Sequence, residues 1–157
     1  MQFGLFDSLF AEIEDYALSR QKHLREVQNK GLKDLVTEVD IYIDEKVKSF
    51  IKSNFPDDSL LTEEGGFTQG ISNRCWVLDP LDGTINYARG LPLWGISLAL
   101  LENNTPISCW ISIPALSERY CGQKGKGSFC NGNRLRVSTT TNIKTVSYTH
   151  LTLPTTD

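Results

Sequence analysis

The sequence predicts an α+β protein: two amphipathic helices followed by a largely antiparallel sheet. Apolar residues recur at helical spacing as far as Asn54 and in short extended runs after Pro56, and turn-forming residues separate those runs.

The first helix is expected from about Phe3 to Gln28, where Phe6, Leu9, Phe10, Ile13, Tyr16, Ala17 and Leu24 share one face. Lys30-Gly31-Leu32-Lys33 breaks it, Gly31 being suited to a turn. A second helix follows from roughly Asp40 to Asn54, with Ile43, Val47, Phe50 and Ile51 on its buried side. Asn54-Phe55-Pro56-Asp57-Asp58 stops it, because proline cannot continue a helix.

Ser59–Thr62, Cys75–Asp79, Leu93–Leu101, Pro106–Ile113 and Arg119–Gln123 read as strands. The loop from Leu101 to Pro106 joins two of them as a hairpin-like turn. A further turn spans Phe129–Arg134, where Asn131-Gly132 is the strongest hairpin signal in the chain. Strands 94–101 and 108–113 are apolar enough to expect cover on both faces. There is no internal repeat and no low-complexity linker, and 157 residues make one ordinary domain with a real core.

Apolar content of 39% and charged content of 22% are those of a soluble globular protein. A formal net charge of −3 argues against nucleic acid or an anionic membrane as main partner, since both reward a basic surface. No apolar run is long enough to span a bilayer, and the start, MQFGLFDSLFAEIEDY, lacks the basic flank and cleavage site of a signal peptide. A cytoplasmic location is expected. Cys75, Cys109, Cys121 and Cys130 form no CxxC pair and have no nearby histidine, so they read as reduced thiols in strands rather than zinc ligands.

The chemistry concentrates in Trp76-Val-Leu-Asp79-Pro-Leu-Asp82-Gly-Thr84. An apolar strand delivers two carboxylates into a turn, and Gly83 lets the backbone pass close to a ligand. Thr84 opens a short helical segment, Ile85–Arg89, that ends at Gly90. Carboxylates at a strand end suit hard divalent cations, and free N–H groups at the following helix suit phosphate. Asp-Pro or Asp-Gly alone would be a plain turn; their combination directly after an apolar strand favours a site. Upstream, Glu63-Glu64-Gly65-Gly66 follows a strand and Asp34-Leu-Val-Thr-Glu-Val-Asp40 leads into the second helix. Taken alone, the glutamates would be a solvated pair and Asp40 a helix cap.

Asp34–Asp40, then Leu60-Leu-Thr-Glu-Glu-Gly-Gly66, then Trp76–Pro92, in that order, strongly resemble the inositol monophosphatase family. The resemblance continues through Trp94-Gly-Ile-Ser-Leu-Ala-Leu100 to Gly125-Lys-Gly-Ser-Phe-Cys-Asn-Gly132, and so covers nearly everything from Lys30 to Ser138. It implies the N-terminal part of a layered αβαβα sugar-phosphatase fold. It also implies Mg²⁺-dependent hydrolysis of a small phosphate monoester, most simply inositol 1-phosphate or a similar polyol phosphate.

By the same resemblance, Glu63, Asp79 and the carbonyl of Leu81 would hold a first Mg²⁺. Asp79 would bridge to a second, with Asp82 as a further ligand. Asp40 and Thr84 would orient and deprotonate the attacking water, and the amides of Gly83 and Thr84 would hold phosphate oxygens. Glu64 and Lys30 match outer positions. Paired metals roughly 3.5–4 Å apart are the general solution to attack on a dianionic phosphate. Fructose bisphosphatases, histidinol phosphatases and 3′-phosphonucleotide phosphatases of the same superfamily share these elements. A homodimeric parent protein is compatible with the resemblance.

Two other readings compete. A haloacid-dehalogenase-type phosphatase carries DxDGT, whereas this chain has DxxDGT; on a strand, residues two apart share a face and residues three apart do not. A metal- or phosphate-binding module without turnover is the second. The family's Trp-Asp-x-Ala-Ala-type motif is absent from the chain, so the 157 residues are expected to be a part of the fold, inactive alone and with an exposed apolar patch. From Thr145 onward the sequence fits no preceding periodicity. Val146–Thr155 back-translates as GTC TCT TAT ACA CAT CTG ACG CTG CCG ACG, which resembles a transposase-library adapter. A native part over residues 1–144 and a non-native tail over 145–157 are therefore expected.

Overall fold

Both helices lay their apolar stripes on one face of a single eight-stranded sheet. The computed structural model describes residues 3–24 and 32–141. A 3-10 turn, Phe3–Phe6, leads into α1 (Asp7–Leu24), and α2 spans Leu32–Asn54. The strands are β1 (Ser59–Thr62), β2 (Gly66–Thr68), β3 (Arg74–Asp82), β4 (Gly95–Glu102), β5 (Thr105–Ile113), β6 (Glu118–Gln123), β7 (Gly127–Cys130) and β8 (Asn133–Arg134). Their order is β2-β1-β3-β4-β5-β6-β7-β8, and the five-residue helix α3 (Thr84–Ala88) lies between β3 and β4 in the chain. Among the described residues only β1 and β3 pair in parallel; every other neighbouring pair is antiparallel. This is the α+β arrangement expected from the sequence.

Several boundaries differ, for identifiable reasons. Helix α2 begins at Leu32 rather than Asp40, so Asp40 sits inside the helix and is not its cap. No glycine or proline interrupts 32–54, and Val39, fully buried one turn before Ile43, extends the apolar stripe backwards. Leu32 and Lys33, read as part of a break, are already helical; residues 25–31 lie outside the described part, and Lys30 with them. The first helix starts as a 3-10 turn. Strand β3 runs on through Pro80 to Asp82, with a register shift between Asp79 and Asp82 where the missing proline N–H costs no ladder bond. Strand β2, three exposed residues, carries no apolar alternation and was not foreseen. The 129–134 turn is a hairpin, with Asn131 and Gly132 both at positive φ joining β7 to β8. The tail from Thr145 lies outside the described residues.

The core lies between the helices and the near face of the sheet. Phe6 packs against Trp110 and Trp76 at centroid distances of 4.5 and 5.5 Å, and Phe55 closes on Trp76 at 4.9 Å. Within this layer Asp58, 7% exposed, accepts from Trp76 Nε1 at 2.9 Å, Arg74 Nε at 3.0 Å and the Ser72 hydroxyl at 2.8 Å. A buried carboxylate so satisfied joins the start of β3 to the helix exit. The far face is different. Leu61, Val77, Ala99 and Cys109 form a row across β1, β3, β4 and β5, and among the described residues no helix covers them. Leu61 and Ile111 are 42% and 41% exposed there. The four cysteines lie in strands and none is in a disulfide; Cys109 is exposed and the others are half-buried.

Candidate metal and phosphate site

The parallel pair builds the centre of the site. Thr62 of β1 is in register with Leu78 of β3, and Glu63 N–H donates to the Leu78 carbonyl at 3.3 Å. Parallel strands end on the same edge, so the first residue after β1 and the acid following Leu78 meet at their carboxyl ends. There the Glu63 side chain lies close enough to Asp79 for its charge to act on that carboxyl. Burial first, then the charges of Glu63 and Asp82, raise the pKa of Asp79, opposed by the Leu81 N–H that donates to Asp79 Oδ1 at 3.2 Å.

Helix α2 adds Asp40, which is 9% exposed. Burial, followed by the charges of Glu64, Glu63 and Asp79, pushes its carboxyl from 3.8 to about 7. A group that stays half-protonated near neutrality beside other acids is suited to take a proton or to meet a cation.

Beyond the register shift, Asp82 is exposed opposite Gly95. Gly83 follows at φ 84°, and a methyl group there would lie 2.9 Å from the Leu93 carbonyl and 3.2 Å from Trp94 Cα. Conformation and space both require glycine. The loop is held from behind: Tyr87, fully buried, donates from its hydroxyl to the Ala17 carbonyl at 2.7 Å, and burial pushes its pKa up. Gln21 Nε2 donates to the carbonyls of Tyr87 and Leu91, each at 3.2 Å. Helix α1 thus fixes α3, and Tyr87 N–H to Gly83 O at 3.0 Å ties α3 to the glycine.

Of the residues picked from sequence, the fold brings Glu63, Glu64 and Asp79 into electrostatic reach of Asp40, with Glu63 and Asp82 acting on Asp79. Thr84 is placed differently from its implied pairing: its hydroxyl donates to the Leu81 carbonyl at 3.1 Å, and no hydrogen bond joins it to Asp40. Among the described residues no three His, Cys, Asp or Glu side chains lie close enough to hold one ion together. The donor chemistry nevertheless fits a hard cation: every candidate is an oxygen, and neighbouring acids that raise one another's pKa favour a proton or a cation among them. An apolar cavity of about 610 Å³, walled by Phe6, Phe10, Trp110 and Phe129, lies elsewhere, and no predicted site residue lines it. Sequence reasoning missed Asp44 and Lys48, whose signal was available: both follow Asp40 at four-residue steps on α2.

The chain belongs to the inositol monophosphatase family, whose model matches residues 6–155. It is 44% identical over 108 residues to the fructose-1,6-bisphosphatase/inositol-1-monophosphatase of Thermotoga maritima, covering 69% of this chain and 41% of that protein. It is 34% identical over 117 residues to the histidinol-phosphatase of Mycobacterium tuberculosis, covering 71% and 45%. Among solved structures it is similar to the Thermotoga maritima IMPase with a TM-score of 0.67 and 38% identity, covering 85% of this chain and 54% of that one. The chain spans about two fifths to a half of the length of these relatives. They are phosphatases named for small phosphorylated substrates. Among the described residues no helix is long and apolar enough to cross a membrane.

Proposed function

We propose that the protein to which this chain belongs hydrolyses a small phosphate monoester with Mg²⁺ and an activated water, in the cytoplasm. The observation that carries the reading is the parallel register of β1 and β3, which brings Glu63 and Asp79 together at their carboxyl ends. Glu63, Asp79 and the Leu81 carbonyl are the first set of cation ligands in this proposal, with Asp79 and Asp82 serving a second ion. Bound there, magnesium would supply charge neutralisation of the phosphate and acidification of a water.

The chain's own groups do the rest. Asp40 takes the proton of the water; its burial beside Glu64, Glu63 and Asp79, which raises its pKa to about 7 in the metal-free chain, supports a role in proton transfer. Thr84 aids that step once its hydroxyl turns from Leu81. The amides of Gly83 and Thr84 receive phosphate oxygens, a role supported by the left-handed Gly83 at the start of α3. Glu64 tunes the charge of Asp40 from outside.

Inositol 1-phosphate or a similar polyol phosphate is the substrate in this reading. Fructose 1,6-bisphosphate and histidinol phosphate are the alternatives that the names of the relatives favour. The test pairs metal titration with phosphate release from these three compounds and from a 3′-phosphonucleotide. Saturable Mg²⁺ binding with Mg²⁺-dependent release supports a phosphatase. Binding with no release from any compound assigns this chain a binding role only, and absence of both overturns the site.

A further inference from the structure

The acidic turn after β1 has a support that the roles above leave unused. Asp44 and Lys48 lie one and two turns after Asp40, on the same side of α2. Asp44 is 4% exposed, and its Oδ1 is buried without a hydrogen-bond partner. Its Oδ2 is ion-paired with the Lys48 ammonium. A buried carboxylate that loses its charged partner becomes an uncompensated charge, so Asp44 holds Lys48 in place. The ammonium sits against Gly65: a methyl group on Gly65 would overlap Lys48 Nζ. Gly65 N–H in turn donates to the Thr62 hydroxyl at 2.8 Å, and Thr62 is 2% exposed. Helix α2, the end of β1 and the Glu63–Glu64 turn therefore meet at one lysine.

We propose that Asp44 and Lys48 are positioning residues: Lys48, anchored by Asp44, clamps the turn at Gly65 and so fixes the Glu63 carboxylate against Asp79. The consequence for metal binding rests on Glu63 and Asp79 being cation ligands; the clamp itself does not. Two effects of removing the ammonium have opposite signs. A lost positive charge makes the acid cluster more attractive to a cation. A loosened turn lets Glu63 leave Asp79 and makes the cluster a poorer ligand set.

The experiment compares the wild-type 157-residue chain with Lys48→Met, Lys48→Arg and Gly65→Ala, without metal and with Mn²⁺ as probe. Gly65 is not among the residues at positive φ, so alanine fits its backbone. Its methyl group meets both the ammonium and, at 2.8 Å, the Thr62 hydroxyl, so the variant displaces the lysine while keeping both charges but also presses on the turn directly. Amide hydrogen exchange reads the clamp, and calorimetric titration reads the cation. In Lys48→Met and Gly65→Ala, exchange at Glu63 and Gly65 should quicken by roughly tenfold, as expected for a local opening. Mn²⁺ affinity should fall by about fivefold in both and stay within about twofold of wild type in Lys48→Arg, the guanidinium keeping the charge.

Unchanged exchange in both variants overturns the clamp. Faster exchange with equal or tighter Mn²⁺ binding overturns the positioning of Glu63. If wild type binds no Mn²⁺, the ligand reading has failed, and exchange alone decides whether Lys48 holds the turn. Should Lys48→Met not fold, Lys48→Gln, which removes the charge but keeps a polar end and leaves Thr62 untouched, carries the decision with the same two readouts.

Discussion

Glu63 lies beside Asp79 although sixteen positions separate them, because β1 and β3 run parallel with Thr62 opposite Leu78 and Glu63 N–H donates to the Leu78 carbonyl. In a sheet that is otherwise antiparallel, this one pairing turns two separate acidic segments into one site. Asp40 reaches the same place from α2, where Val39 and Ile43 pin the helix to the core on either side of it.

Asp79→Asn should cost the chain most of its affinity for Mn²⁺, a loss of roughly tenfold or more, because it removes a charged oxygen facing Glu63. The metal-free fold should not suffer, since burial and two neighbouring acids already disfavour the Asp79 charge. Calorimetry with a melting curve in EDTA checks both. Wild-type affinity in this variant would remove Asp79 from the ligand set.

Asp40 gives a pH dependence of unusual sign for an acid. Its carboxyl titrates at about 7 in the folded chain against an ordinary 3.8. Between those values the folded state keeps a proton that the unfolded state has lost, so stability falls as pH rises through that window. Asp40→Asn should therefore stabilise the metal-free chain at pH ~8 by on the order of 3 kcal/mol, and by almost nothing below pH ~3.5. Urea titrations in EDTA at the two pH values measure it. An equal effect at both would mean that Asp40 is charged in the fold throughout.

Gly83→Ala should destabilise by about 2–3 kcal/mol, from the left-handed backbone and the overlap with Leu93 and Trp94 together. Denaturant unfolding reads the cost. A loss under about 1 kcal/mol would show that the loop shifts freely.

Asp58→Ala should cost about 3 kcal/mol by leaving the Trp76 N–H buried without its acceptor and Arg74 without its partner. Asp58→Asn keeps one acceptor and should cost less. Unfolding followed by tryptophan fluorescence ranks the two, and the reverse order would contradict the hydrogen-bond assignment.

Much of this was legible in the chain itself. The helix-to-strand change at Pro56, four of the strands within one or two residues at either end, and the Asn131-Gly132 hairpin follow from local periodicity and turn chemistry, which depend only on neighbours in sequence. So do the acids worth naming, because Asp79-Pro-Leu-Asp82-Gly-Thr84 is a local pattern. Asp40 alone reads as a cap, yet α2 starts before it, at Leu32: no glycine or proline interrupts 32–54, and Val39 continues the buried stripe one turn before Ile43. Only the tertiary structure decided that β1 lies parallel to β3, that Thr84 turns to Leu81, and that Asp40 loses enough water to hold its proton near neutrality. Pairing direction, burial and charge proximity are properties of residues far apart in the chain, and no window of sequence contains them.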